Sequence, residues 1–255
     1  MIAYAGRHAA FYDLFYQKKP YASEALFVHQ RLARNAVPPG SRVLELACGT
    51  GNHALNLAEL GYGMTATDYS ADMLAVARAK AAARRLPVEF CELDMRAVPL
   101  PELPYDAVVC LFDSIGYVQT DQALNEVFSG VRKSLRTGGI FLFEFWHAPA
   151  MMNQFDPLRV RRFSVPAGTV LRIAETTLMR EHSLARVDYN IYELRSDFTY
   201  DHIKESQTNR FFTVSEMMRW ADQHKFEPMS FHSGFQADAP VTDDSWHVVA
   251  VWRKP

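Results

Sequence analysis

Short apolar runs alternate with stretches in which apolar side chains recur at helical spacing. Strands are predicted over Arg42 to Ala47, Gly63 to Thr67, Val88 to Cys91, Ala107 to Phe112 and Gly139 to Phe145. Helices are predicted between them, over Asn52 to Leu60, Ala71 to Arg84 and Asp121 to Leu135. Two amphipathic helical patterns come first, Ala3 to Gln17 and Ala22 to Ala36, stopped by Pro38-Pro39-Gly40. This rhythm predicts right-handed crossovers and a mostly parallel sheet.

After Trp146 the period drops to near two. "GTVLRIAETT", "ARVDYNIYEL" and "DFTYDHIKES" read as antiparallel strands with one polar face, within about Val160 to Phe212. Thr213 and Glu216 have capping-box spacing and start a helix through about Gln223. Strands over Glu227 to His232 and Trp246 to Trp252 end the chain. The expected organisation is an α/β domain, residues 1–153 and 213–255, interrupted by a β-rich insertion, residues 154–212.

The bulk numbers narrow the class. At 255 residues, 49% hydrophobic and 22% charged, the chain fits an ordinary globular protein with a full core. A net charge of -2 argues against a surface built for polyanions, so no nucleic-acid partner is expected. Cys48, Cys91 and Cys110 form no CxxC pair and read as small core residues in a reducing compartment. No metal site is expected. The amino terminus lacks a signal-peptide pattern, and no apolar run reaches bilayer length. A cytoplasmic location without a membrane partner is the expectation.

The chemistry centres on "VLELACGTGNHA", where a strand ends in a Gly-x-Gly-x-x-Ala turn and a helix begins. Alone, the turn fits a dinucleotide or another nucleoside-bearing cofactor. Glu45 sits inside the strand, where desolvating a carboxylate is costly unless it meets a cation. A pyrophosphate would be repelled there. Asp68 ends the next strand and suits a grip on ribose hydroxyls, or the N-cap of the following helix, for which Ser70 is the better residue. Tyr69 and Met73 flank it as sandwich partners for an adenine, or as core residues. Asp94 ends the third strand and suits an adenine amino group. Ligands of open α/β sheets lie outside the carboxyl ends of the strands, so Gly49, Asp68, Asp94 and Asp113 should border one crevice. Acids along that rim suit a cofactor with a cationic amino-acid end and an adenosine end, which is S-adenosylmethionine.

"LELACGTG", "TATDYSADML", "ELDMRAVPL", "YDAVVCLFDSIGYV" and "LRTGGIFLFEFW" resemble, in order, the motifs of class I S-adenosylmethionine-dependent methyltransferases. The terminal "SWHVVAVWRKP" resembles the last strand of that fold. The resemblance implies an α/β Rossmann-like fold: a mostly parallel seven-stranded sheet whose last strand is antiparallel, here with an antiparallel β insertion. It places Ala47, Gly49, Gly51, Met95 and Leu111 around the cofactor with Glu45, Asp68, Tyr69, Met73 and Asp94.

"FYDLFYQKKPYASEA", "LFDSIGYV" and the insertion resemble, more narrowly, the N-methyltransferases of nucleotide-linked amino-deoxysugars. That resemblance implies a lid helix whose Tyr16 closes over the methyl donor, with Tyr21 reaching the amino-acid end of the cofactor. Tyr12, Asp113, Ser114, Trp146 and Arg172 would then face the acceptor. The family often has Ser-Ser at Asp113-Ser114 and two tryptophans at Trp146-His147, so the acceptor wall differs here.

Tyr16, Tyr117 and His147 are the catalytic candidates, the last two as proton acceptors. "RVRRF" (Arg159 to Phe163) with Arg172, Arg195 and Arg210 offers cations for a diphosphate, or a solvated strand face. An exposed strand edge of the insertion suits a homodimer. Three rivals stay open: methylation of another small amine, hydroxyl or heterocycle; a non-catalytic binder of S-adenosylmethionine; and a nicotinamide oxidoreductase.

Overall fold

The computed structural model describes residues 7–237 and 239–255, so the first residues of the predicted opening helix lie outside it. Its elements begin with α1 (Arg7–Phe15), α2 (Tyr21–Arg34), β1 (Arg42–Leu46), α3 (Asn52–Glu59), β2 (Gly63–Asp68) and α4 (Ala71–Arg84). There follow β3 (Glu89–Glu92), β4 (Tyr105–Cys110), α5 (Asp121–Ser134), β5 (Leu135–Trp146) and α6 (Ala148–Gln154). Next come β6 (Leu158–Val165), β7 (Gly168–Met179), β8 (Leu184–Arg195) and β9 (Tyr200–Arg210). The chain closes with α7 (Val214–Gln223), β10 (Glu227–Ser233) and β11 (His247–Arg253).

Val43, Leu44 and Leu46 of β1 and Val108, Val109 and Cys110 of β4 are all buried. Strands with no solvent face are what a parallel sheet covered on both sides requires. The seven strands run in the order β3-β2-β1-β4-β5-β11-β10, with β11 antiparallel to both neighbours and the others parallel. This bears out the expected fold. One core packs Phe128, Phe143, Trp220 and Trp252 between the sheet, α5 and α7. The other packs Val28, Leu32, Leu57 and Leu74 from α2, α3 and α4 against the opposite face. The chain steps from β1 outward to β3, then back to β4 on the other side of β1. The carboxyl ends of β1 and β4 therefore frame the switch point where such sheets bind ligands.

The second sheet is an antiparallel meander in the order β6-β7-β8-β9, spanning 158–210. On its inner face Val170, Val187, Tyr189 and Ile191 bury against Phe15 of α1, with Phe163 and Trp146 alongside. Its core is thus shared with α1, and the sheet roofs the ligand end of the main sheet.

Several local predictions differ from the structure. β5 starts directly at Leu135, because Gly138, at φ 75, sits in an irregularity of the β4–β5 pairing rather than in a connecting loop. α6, with a proline in its first turn, went unpredicted. Thr213 accepts from the Glu216 amide (3.1 Å), but Glu216 turns to Arg210 (2.6 Å), so only half the capping box forms. Cys48 and Cys110 are buried, whereas Cys91 is half-buried on the edge strand β3. Among the described residues no helix is long and apolar enough to cross a membrane.

Candidate active site

A cavity of about 1580 Å³ opens at the carboxyl ends of β1 to β4 and extends under the second sheet. The strand-to-helix turn after β1 needs backbone that most side chains resist: Ala47, Gly49 and Gly51 have φ of 53, 57 and 75. Asp68 holds this turn, its Oδ2 accepting from the Gly49 amide and its Oδ1 from the Ser70 amide, both at 2.8 Å. Burial raises the Asp68 carboxyl above its ordinary pKa, against the pull of those amides. Ser70, not Asp68, caps α4, accepting from the Met73 amide at 3.3 Å.

Glu45 is buried, and its Oε2 has no hydrogen-bond partner among the described residues. Burial, helped by the nearby Asp68, pushes its carboxyl up to about 8. A buried carboxyl on the cavity wall, which ionises more readily beside a cation, fits a cationic ligand group. A Cβ added at Gly49 would point at the Tyr12 hydroxyl, 3.9 Å away across cavity space, so the bare backbone leaves room for a ligand between the turn and α1. These two observations suit the amino-acid end of S-adenosylmethionine.

Tyr12, Tyr16, Tyr21, Ala47, Tyr69 and Met73 line the same cavity, as do Asp94, Met95, Leu111, Asp113, Ser114, Tyr117, Trp146 and Arg172. Asp94 accepts from the Arg96 amide at 2.9 Å and pairs with the Arg96 guanidinium, which holds its carboxyl below the usual range. Ser114 Oγ donates to the Leu111 carbonyl at 2.8 Å. Tyr117 donates to Gln207 Oε1 on β9 at 3.2 Å, joining the main sheet's loop to the roof.

Two predicted residues lie elsewhere. Gly51 does not line the cavity; a Cβ there would meet Ala77 at 3.0 Å and Phe90 at 3.2 Å, so it serves close packing and the start of α3. His147 is buried, bridges Phe212 and precedes α6, off the cavity wall. Among the arginines, Arg195 pairs with Asp201, and Arg210 pairs with Asp121 and Glu216. Arg172 is turned inward: its Nη2 donates to the Tyr16 hydroxyl at 3.2 Å, and its guanidinium lies over Tyr189, Phe15 and Tyr16. It holds the lid rather than standing free for an acceptor. Arg159 and Arg161 do line the cavity.

Other residues of the site escaped the sequence reading. Asp13 of α1 accepts from Thr50 (2.7 Å) and Asn52 (2.9 Å) and pairs with Lys80 of α4 (2.9 Å), pinning the lid to the glycine turn. Lys19 pairs with Glu24 (2.6 Å), and Glu24 with His53 (2.7 Å), behind Glu45. Phe112 and Asp113 both adopt left-handed backbone, at φ 56 and 57. That turn brings the Phe112 amide to Glu144 Oε2 at 2.6 Å and the Asp113 carboxylate to His247 Nδ1 at 2.8 Å. Apart from Lys19–Glu24, five residues apart, these pairings span 29 residues or more, too far for a local signal.

Comparison with known proteins agrees with this geometry. A family model described as a methyltransferase domain matches residues 43–139. The dTDP-3-amino-3,6-dideoxy-alpha-D-glucopyranose N,N-dimethyltransferase of Streptomyces fradiae is 31% identical over 221 residues, 85% of this chain and 82% of that protein. An S-adenosylmethionine-dependent methyltransferase from Clostridium acetobutylicum ATCC 824 superposes with a TM-score of 0.83 at 19% identity, covering 97% of both chains. The amino pentose methyltransferase CalS10 of Micromonospora echinaspora, solved with S-adenosylmethionine, superposes at 0.77 with 21% identity, covering 100% of this chain and 99% of that one. At those identities the two structures speak for the fold. The Streptomyces relative, with the family model, places the chain among the S-adenosylmethionine-dependent methyltransferases.

Proposed function

We propose that the protein methylates the amine of an amino-deoxysugar carried on a nucleoside diphosphate. One observation carries the reading: a single cavity is lined by Glu45, Asp68 and Asp94 near the strand ends and by Arg159, Arg161 and Arg162 of the edge strand β6, with Arg159 3.6 Å from Asp156. The acids suit a cationic cofactor, and the arginines suit a diphosphate. The Streptomyces fradiae relative, whose name states such a substrate, supports the same assignment.

On this reading Asp68 holds the ribose hydroxyls, Asp94 and Met95 border the adenine, and Glu45 faces the cationic end. Tyr16 and Tyr21 close over the donor. S-adenosylmethionine supplies a methyl group on a sulfonium. The chain contributes alignment of the acceptor amine with that group, an effect worth up to roughly 7–11 kcal/mol. Tyr117, fixed by Gln207, borders the acceptor side and orients the amine.

The test is incubation with S-adenosylmethionine and dTDP-3-amino-3,6-dideoxy-α-D-glucopyranose, followed by mass spectrometry. Gain of one or two methyl groups with matching S-adenosylhomocysteine is expected. Turnover of simple amines or phenols, with nucleotide-linked amino sugars left untouched, would defeat the reading.

A further inference from the structure

We infer that His247 is the proton acceptor for the amine, oriented through its Nδ1 by Asp113 and Glu144; this rests on the amine reading above. Nδ1 lies 2.8 Å from Asp113 Oδ2, 3.0 Å from Asp113 Oδ1 and 3.3 Å from Glu144 Oε1. Both carboxylates are buried, at 2% exposure each. In the neutral ring the nitrogen beside the two carboxyl groups is the protonated one, which leaves Nε2 as the acceptor. Nε2 has no hydrogen-bond partner among the described residues, and the His247 side chain is 41% exposed. His247 lines the cleft beside Asp113 and Trp246.

The backbone is strained to make this arrangement. Two successive non-glycine residues, Phe112 and Asp113, take left-handed φ, and the turn they form delivers Asp113 to His247. Such strain persists where the surroundings over-determine it, typically at functional sites. The same ring forms part of the wall of a second cavity, about 410 Å³, which Lys19, Glu24, Phe112 and Glu144 also line. His247 thus lines both the cleft and this second cavity, whose wall also carries the charged side chains of Lys19 and Glu24.

The step balances simply. The amine nitrogen's lone pair forms the new N–C bond as the S–C bond breaks, and that bonding pair stays on sulfur. The ammonium so formed gives one N–H proton to Nε2, and the imidazolium passes it to solvent. Asp113 and Glu144 stabilise the cation meanwhile, as the carboxylate does in other oriented imidazole bases. Burial and Lys19 lower the ring's proton affinity, but Asp113 and Glu144 outweigh them and push it up to about 9. Burial and the neighbouring Asp113 raise the Glu144 carboxyl to about 8, so Asp113 is the charge that chiefly holds the ring's proton. Only the neutral ring can take a proton from the alkylammonium, and its share grows as pH rises toward 9.

The test pairs kinetics with a spectroscopic readout. His247→Asn keeps a donor for Asp113 but lacks Nε2; its kcat should fall by about 10²–10³-fold with the KM for S-adenosylmethionine nearly unchanged. His247→Ala should fall similarly and regain activity with added imidazole, which a structural role would not allow. In ¹⁵N spectra of the protein with S-adenosylhomocysteine, the ring should titrate well above an ordinary histidine. It should be the Nδ1–H tautomer when neutral, and its pKa should drop in Asp113→Asn. An Nε2–H tautomer overturns the inference, as does His247→Asn turnover within about threefold of wild type. The ligand atoms of the three side chains lie within 4.8 Å of one another, so a bound divalent ion is the rival. Activity lost to chelator and restored by Mn²⁺ would decide for it. Failure of every nucleotide-linked amino sugar strikes the substrate reading alone, because the ring spectra judge His247 without turnover.

Discussion

Arg172 of the roof sheet donates to the hydroxyl of Tyr16, which follows the lid helix, at 3.2 Å. The same guanidinium stacks over Tyr189, 4.4 Å from the ring centre, and over Phe15 at 4.8 Å. A charged hydrogen bond of this kind is worth roughly 1.5–3 kcal/mol. Lysine cannot both stack and bond in that geometry. Arg172→Lys is therefore expected to loosen α1, speeding amide exchange over residues 7–15 and raising the KM for S-adenosylmethionine by about tenfold. Exchange in α1 that matches wild type would show that the lid is held elsewhere, with Asp13 and Lys80 the next candidates.

Ala47 occupies left-handed backbone, at φ 53, where a β-carbon costs roughly 1–2 kcal/mol. Its methyl group is half-buried on the cavity wall, so little packing is lost on removal. Ala47→Gly should stabilise the protein by about 1 kcal/mol, raising Tm by about 2–4 °C. A lower melting temperature would mean that the methyl packs better than its position suggests.

What the sequence disclosed follows from how local each signal is. The strand–helix rhythm, the glycine turn and the acids Glu45 and Asp68 at strand ends are short-range features, and all found their places in the sheet. His247 and Asp113 meet across 134 residues, so no spacing rule could pair them, and His147 drew attention instead. Arg172 read as one exposed cation among several; only the packing of α1 onto β7 shows its guanidinium buried among aromatic rings. Gly51 matched a cofactor motif but answers Ala77 and Phe90. Motif matching identifies where backbone must be bare and leaves open what it is bare against.

Asp68 serves the turn as well as the proposed ribose site, since the Gly49 and Ser70 amides both donate to it. Asp68→Ala should weaken S-adenosylmethionine binding by roughly 1.5–3 kcal/mol, the scale for hydrogen bonds to a charged group. Asp68→Asn keeps one carbonyl oxygen for the turn and should lose less stability than the alanine variant. Calorimetry on the folded variants checks both. Unchanged affinity in Asp68→Ala would remove the residue from the cofactor site.

Glu45 makes the cofactor site sensitive to pH, and the sign can be worked out. Its carboxyl is raised from an ordinary value near 4.3 to about 8 by burial and the neighbouring Asp68. Between those values the folded protein keeps a proton that the unfolded chain has released. The folded state therefore binds more protons there, and stability without ligand falls as pH climbs from about 5 to 8. Glu45→Gln removes that loss, so its Tm should gain on wild type across this window. Ligand binding runs the opposite way. A cation beside Glu45 favours the carboxylate, so binding S-adenosylmethionine below pH 8 should release a proton. Affinity should rise toward pH 8 by at most about tenfold per unit and then level off. Calorimetry in buffers of different ionisation heat measures the released proton directly. If wild type releases none at pH 7, and Glu45→Gln binds equally well at every pH, Glu45 is a buried structural acid and the cationic end of the cofactor lies elsewhere.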